Sequence, residues 1–152
     1  MPWLNRADPV IMGHILAEHR ELFTRLQALR ATLAAAAPIT AERVASLRVG
    51  LLELREHLRA HFEQEEHGGF MEESIARIPR LAVAAAGIVR QHPTLLGELD
   101  ALVERLAQGD VSAATWARAG GEFEEFAAAL AEHERQETAV VQEGFNEDLG
   151  LS

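Results

Sequence analysis

The sequence predicts an all-α fold, an antiparallel up-down-up-down four-helix bundle, and three observations carry the prediction. Four long segments place apolar residues at helical spacing, the alternation expected of strands is nearly absent, and short joints separate the segments. The 152 residues suit one domain, 1–152. Core helices are expected over about 9–36, 41–66, 80–107 and 113–143, with a tail over 144–152.

The first helix opens at ADPVIM, where Asp8 is a candidate N-cap and Pro9 suits the first helical position. Its apolar stripe is Ile11, Ile15, Leu22, Phe23, Leu26, Leu29 and Leu33, and it ends before Pro38. Thr40 can cap the second helix, whose stripe is Val44, Leu47, Leu51, Leu54 and Leu58. The glycines after His67 stop it. The connector GGFMEESIARIP is long for a bare loop, so a helical turn is expected inside it. The third helix turns Ile88, Leu95, Leu96, Leu99, Val103 and Leu106 inward, and Pro93 should kink it near His92. After the turn QGD, Ser112 caps the fourth helix, which buries Trp116, Phe123, Phe126, Leu130 and Val140 and stops at Gly144.

Composition narrows the chemistry. Cysteine is absent, which removes disulfides, thiolate metal sites and a thiol nucleophile. Lysine is absent too, so no Schiff-base or phosphate-loop lysine exists. A net charge of -10 opposes binding to nucleic acid. No apolar run is long enough to span a membrane, and the N-terminus lacks the features of a signal peptide, so a soluble cytoplasmic protein is expected.

An internal repeat points to the site. HRELFTRLQAL in the first helix and HPTLLGELDAL in the third share one pattern at a shift of 73, pairing His19 with His92. HFEQE in the second and HERQE in the fourth are related by a shift of 72, pairing His61 with His133 and Glu65 with Glu137. Each hairpin thus contributes two histidines and a glutamate. His19 and His61 are equidistant from the first turn, and His92 and His133 from the second. A uniform rise per residue therefore sets all four at one depth, each within its apolar stripe.

Any one of these histidines reads most simply as a hydrogen-bonded core residue, and a solitary H-x-x-x-E as a surface pair. Four at one height, with two glutamates at repeat-equivalent positions, exceed that reading. Burying so many polar groups is costly unless something neutralises them, and a metal ion does so directly. Two imidazoles and a carboxylate per hairpin match the donor set of non-haem iron, two sets suggest two ions, and Glu65 and Glu137 are placed to bridge them. His57, one turn before His61, is a candidate further ligand or supporting group. His14 is expected on the outer face, His67 near the helix end, Glu63 and Glu66 in solvent, and Gln64 at the edge of the site. The alanines of LAVAAAG read as close packing, or as a lining that leaves room for a diatomic molecule.

The motifs EHREL at His19, HFEQEE at His61 and Glu65, RQHPTLL at His92, and EHERQE at His133 and Glu137 resemble the hemerythrin-like HHE cation-binding family. The resemblance spans roughly Asp8 to Phe145. EEHGGFMEE and QEGFNEDLG are also similar to a bacterial single-domain branch. It implies two iron ions bridged by two carboxylates and an oxo or hydroxo group. Members bind or react with dioxygen, and some act in iron or redox sensing. Oxygen-carrying members have two histidines one turn apart on the third helix, where this chain has Ile88 and Leu96 flanking His92. Their last carboxylate is an aspartate five residues after the histidine, where this chain has Glu137 four after. Those differences imply an iron short of one nitrogen, completed by His57 or water, and argue against reversible oxygen carriage. The expected function is binding of, or reaction with, dioxygen or a related small ligand in oxygen, redox or iron response. Alternatives are a ferroxidase or peroxidase-like enzyme on the same centre, zinc or manganese in place of iron, and a metal-free helical interaction module.

Overall fold

The computed structural model of the chain describes residues 9–67 and 71–148, except for the side chains of 9–11, 73 and 145–148. Six helices occupy them: α1 (Pro9–Ala34), α2 (Ala41–His67), α3 (Glu72–Arg77), α4 (Leu81–Arg90), α5 (His92–Ala107) and α6 (Ala113–Asp148). α1, α2, α5 and α6 form the four sides, α1 touching α2 and α6, and α5 touching the same two. Contact pairs fix the directions. Trp116 Nε1 donates to the Leu33 carbonyl at 3.0 Å near one end of α1, while His19 meets Glu137 nearer the other, so α1 and α6 run antiparallel. Arg55 pairs with Asp100 and Glu65 with His92, so α2 and α5 do as well.

Local chemistry ends the helices where the bundle needs its turns. Thr40 Oγ1 accepts from the Arg43 amide at 3.1 Å at the start of α2. At the second turn Gly109 takes φ +76°, a conformation that favours glycine. Ser112 Oγ then accepts from the Thr115 amide at 3.2 Å, and Asp110 Oδ1 from the Ser112 amide at 2.7 Å.

The core is two apolar clusters with a polar layer between them. The larger runs toward the two turns and includes Leu22, Leu54, Leu58, Phe62, Leu99, Phe126 and Leu130. The smaller joins Ile15, Ile88 and Val140 to Met71 and Ile78, which flank α3, and to Leu81 at the start of α4. His19 lies between Ile15 and Leu22, His92 between Ile88 and Leu95, and His133 and Glu137 between Leu130 and Val140. Burying one Leu or Phe contributes about 1.5–3 kcal/mol, and this apolar material on both sides supports the polar layer.

Several sequence expectations are corrected. The third helix is two helices: Pro93 falls in the first turn of α5, where its missing N–H costs nothing, and the chain breaks at Gln91. The connector's helical turn is α3, which packs on α6. Gly144 does not stop the last helix, which continues to Asp148, into the expected tail. It is a buried contact instead, since a Cβ there would stand 2.5 Å from Ser74 Oγ and 3.0 Å from Ser74 Cα. Phe23 is 58% exposed, because Leu22 and Leu26 hold the inner face and Phe23 lies a further 100° around the helix. Asp8, Gly68 and Gly69, proposed as cap and stop, lie outside the described residues.

Candidate metal centre

The four long sides supply one histidine each to the layer: His19 from α1, His61 from α2, His92 from α5 and His133 from α6. α2 adds Glu65 and α6 adds Glu137, each one turn beyond its histidine. These six residues form two groups whose candidate ligand atoms lie within 4.8 Å of one another: His19, His61 and Glu137, then Glu65, His92 and His133. The carboxylates have changed partners. Glu137 of the second hairpin completes the histidines of the first, and Glu65 of the first completes those of the second. Each also reaches across, with Glu65 Oε1 2.6 Å from His61 Nε2 and Glu137 Oε2 3.6 Å from His133 Nε2.

All four imidazoles point Nε2 inward. His19 Nε2 is 3.2 Å from Glu137 Oε1, His92 Nε2 is 2.9 Å from Glu65 Oε2, and His133 Nε2 is 3.7 Å from the same oxygen. All four turn Nδ1 outward to a polar neighbour. His133 Nδ1 donates to Gln91 Oε1 at 2.8 Å, and Gln91 is held in turn by its own donation to Gln136 Oε1 at 2.8 Å. Thr138 Oγ1 stands 3.4 Å from His19 Nδ1, Glu18 Oε2 3.8 Å from His61 Nδ1, and Glu66 Oε2 3.7 Å from His92 Nδ1. A hydrogen bond such as that to Gln91 fixes the tautomer and orientation of a metal-binding imidazole; the Nδ1 atoms of His61 and His92 make none. The Gln91 bond places the proton of neutral His133 on Nδ1 and leaves Nε2 as a bare lone pair facing two carboxylates.

That arrangement lacks positive charge. His61 Nε2, His133 Nε2, Glu65 Oε1 and Glu137 Oε2 are buried atoms without a hydrogen-bond partner, and all four belong to the two groups. Burial alone would push the His61 imidazole down; the adjacent Glu137 and Glu65 carboxylates outweigh it and hold the group up at about 10. Burial would push the Glu65 carboxyl up, but the surrounding imidazoles of His133, His61 and His92 hold it well below the usual carboxylate range. Both shifts have one cause, imidazoles packed against carboxylates, and a bound cation in place of the proton would satisfy the same atoms. Imidazole nitrogen and carboxylate oxygen suit borderline divalent ions, so the residues present fit a metal.

The structure thus brings together all six residues singled out in the sequence. His57 stands apart from both groups; its Nε2 is 3.3 Å from Glu18, the carboxylate behind His61. Gln64 turns outward to exposed His14 at 3.4 Å, and Glu63 pairs with Arg59 at 2.9 Å. His67 is exposed in the last turn of α2. Glu66 is exposed, as expected, and its carboxylate also stands 3.7 Å behind His92. Gln91, Thr138 and Glu18 were missed, because nothing in their spacing marks them before the helices are placed. Phe62 was missed as well: its ring stacks on His92 at 3.8 Å and 7° and forms a floor to the second group. Its repeat-equivalent position carries Glu134, whose carboxyl is pushed up to about 7 by burial while the His19 charge draws it down.

The hemerythrin HHE cation binding domain matches residues 10–143, nearly the whole chain. No curated protein and no solved structure shows a significant match. With a helical bundle, a buried histidine–glutamate layer and this match in hand, the chain belongs to the hemerythrin HHE cation-binding domain family.

Proposed function

We propose that the chain is a non-haem iron protein whose ligands are His19, His61, Glu65, His92, His133 and Glu137, with two irons and both glutamates bridging. The supporting observation is the layer itself. Four Nε2 atoms and two carboxylates converge in it, and four of the inward atoms lack any hydrogen-bond partner. Bound iron supplies redox chemistry toward dioxygen or a related small ligand, serving an oxygen, redox or iron response.

The chain's own residues set the conditions. Gln91 keeps His133 in the tautomer that offers Nε2, and Thr138, Glu18 and Glu66 stand behind the other three imidazoles. Leu58, Phe62, Ile88 and Leu130 are buried around the layer and keep bulk water out. Neither tyrosine nor cysteine exists to carry a radical or a thiol step, which favours simple ligand binding and electron exchange over elaborate oxidation.

The test is metal analysis of anaerobically purified protein, then its near-ultraviolet spectrum on admission of air. Two irons per chain and a new absorption band on oxidation are expected. Protein that stays metal-free after expression in iron-rich medium would instead support the helical interaction module.

A further inference from the structure

α3, α4 and the end of α2 surround a cavity of about 480 Å³. Its walls are mainly apolar, formed by Met71, Ile75, Val89 and three alanines, Ala82, Ala85 and Ala86. Glu65 belongs to the same wall, so the cavity adjoins the metal centre. The Glu65 side chain is fully buried, so the cavity meets α2 at Glu65 without opening onto its carboxylate. Glu66, Glu72 and Arg90 complete the lining, all three exposed.

Size decides against a gas-sized pocket. A water molecule takes about 30 Å³ of liquid volume, and an apolar cavity of about 150 Å³ already accepts benzene. The space between α3 and α4 is several times larger and falls within the roughly 300–1,000 Å³ of organic-ligand sites. Charge decides the class. An anion would meet Glu66 and Glu72 and lose hydration that the apolar wall does not replace. A cation would lose hydration in the same way and would face Arg90. We propose that this cavity binds a neutral, mainly apolar organic molecule about the size of a substituted naphthalene, seated against Glu65. Binding itself is independent of the iron reading; only the consequence that the occupant lies beside an iron rests on it.

The probe is N-phenyl-1-naphthylamine, titrated by fluorescence into metal-free and iron-loaded protein. Saturable binding of one molecule per chain is expected in both. Ala82→Phe and Ala86→Phe each fill the space from an exposed backbone position, and each should weaken binding at least tenfold. Val83→Ser, on a side chain 78% exposed and outside the lining, should leave it unchanged. The anionic relative 8-anilino-1-naphthalenesulfonate should bind at least tenfold more weakly than the neutral probe. Thermal melts establish that both Phe variants are folded, and either one suffices for the comparison. Absence of saturable binding, equal binding in a folded Phe variant, or equal binding of the anion would each overturn the proposal. Failure to take up iron while the probe still binds would remove the iron reading and leave the cavity site standing.

Discussion

The two donor groups have the same composition and different surroundings. Glu65, His92 and His133 are almost completely buried, with side-chain exposures of 0%, 3% and 1%. A 2.8 Å bond from Gln91 locks one imidazole, and the Phe62 ring lies flat on the other. In the group of His19, His61 and Glu137, the His19 side chain is 12% exposed. Its outer contacts, 3.4 Å to Thr138 and 3.8 Å to Glu18, include none as short as the Gln91 bond, although His92 too has a long one, 3.7 Å to Glu66. A third acidic side chain, Glu134, lies close enough to feel the His19 charge. Equal donor sets therefore need not give equal sites. The supporting shell makes the second group the more rigid, and rigidity slows loss of a bound ion.

The largest expected effect removes what the groups share. Glu65→Ala or Glu137→Ala should lower iron content by well over half, because each carboxylate approaches histidines of both groups. His19→Ala should empty its own group while sparing the other. Elemental analysis of the three variants decides it, and equal losses in all three would erase the distinction. Chelation comes next. Iron should leave in two phases, the His19 group first. The midpoint of thermal unfolding should fall by roughly 5–10 °C, since about 2.7 kcal/mol of linkage is lost when ligand had stood at about 100 times its Kd. Removal in one phase would make the groups equivalent.

Outer-shell variants give smaller, unequal effects. Gln91→Leu should weaken iron binding about 10- to 100-fold, while Thr138→Val, acting on a longer contact, should change it only a few-fold; competition titrations would show the order. Gly144→Ala should cost about 1–3 kcal/mol by overpacking against Ser74 on α3, beside the second group. Calorimetry measures that loss, and adding Ser74→Gly should restore much of it. At the bottom of the scale, His14→Ala should leave metal content unchanged, because His14 faces outward on α1.

The helices and six inward donors were legible because two independent periodicities agree. The 3.6-residue stripe places each histidine inward, and the repeat places the four at one level. What the sequence hid depends on how elements meet. Leu22 and Phe23 both suit a stripe, and only packing shows that Phe23 faces solvent. Gly144 looks like a stop until α3 is laid against it. The carboxylate exchange was hidden for the same reason. Spacing puts Glu65 one turn from His61 but does not reveal that it also reaches His92 across the bundle. Gln91 acquires its role from the break between α4 and α5, which turns it toward His133.

That exchange of carboxylates bears on how a repeated chain of this kind could arise. A solitary helical hairpin would hold two imidazoles and one acid, and that acid would lack the far imidazoles it also contacts. Only two such hairpins back to back assemble a whole coordination set. An ancestral half-length polypeptide would thus have captured its ions as a homodimer, and gene fusion would have made that partnership permanent.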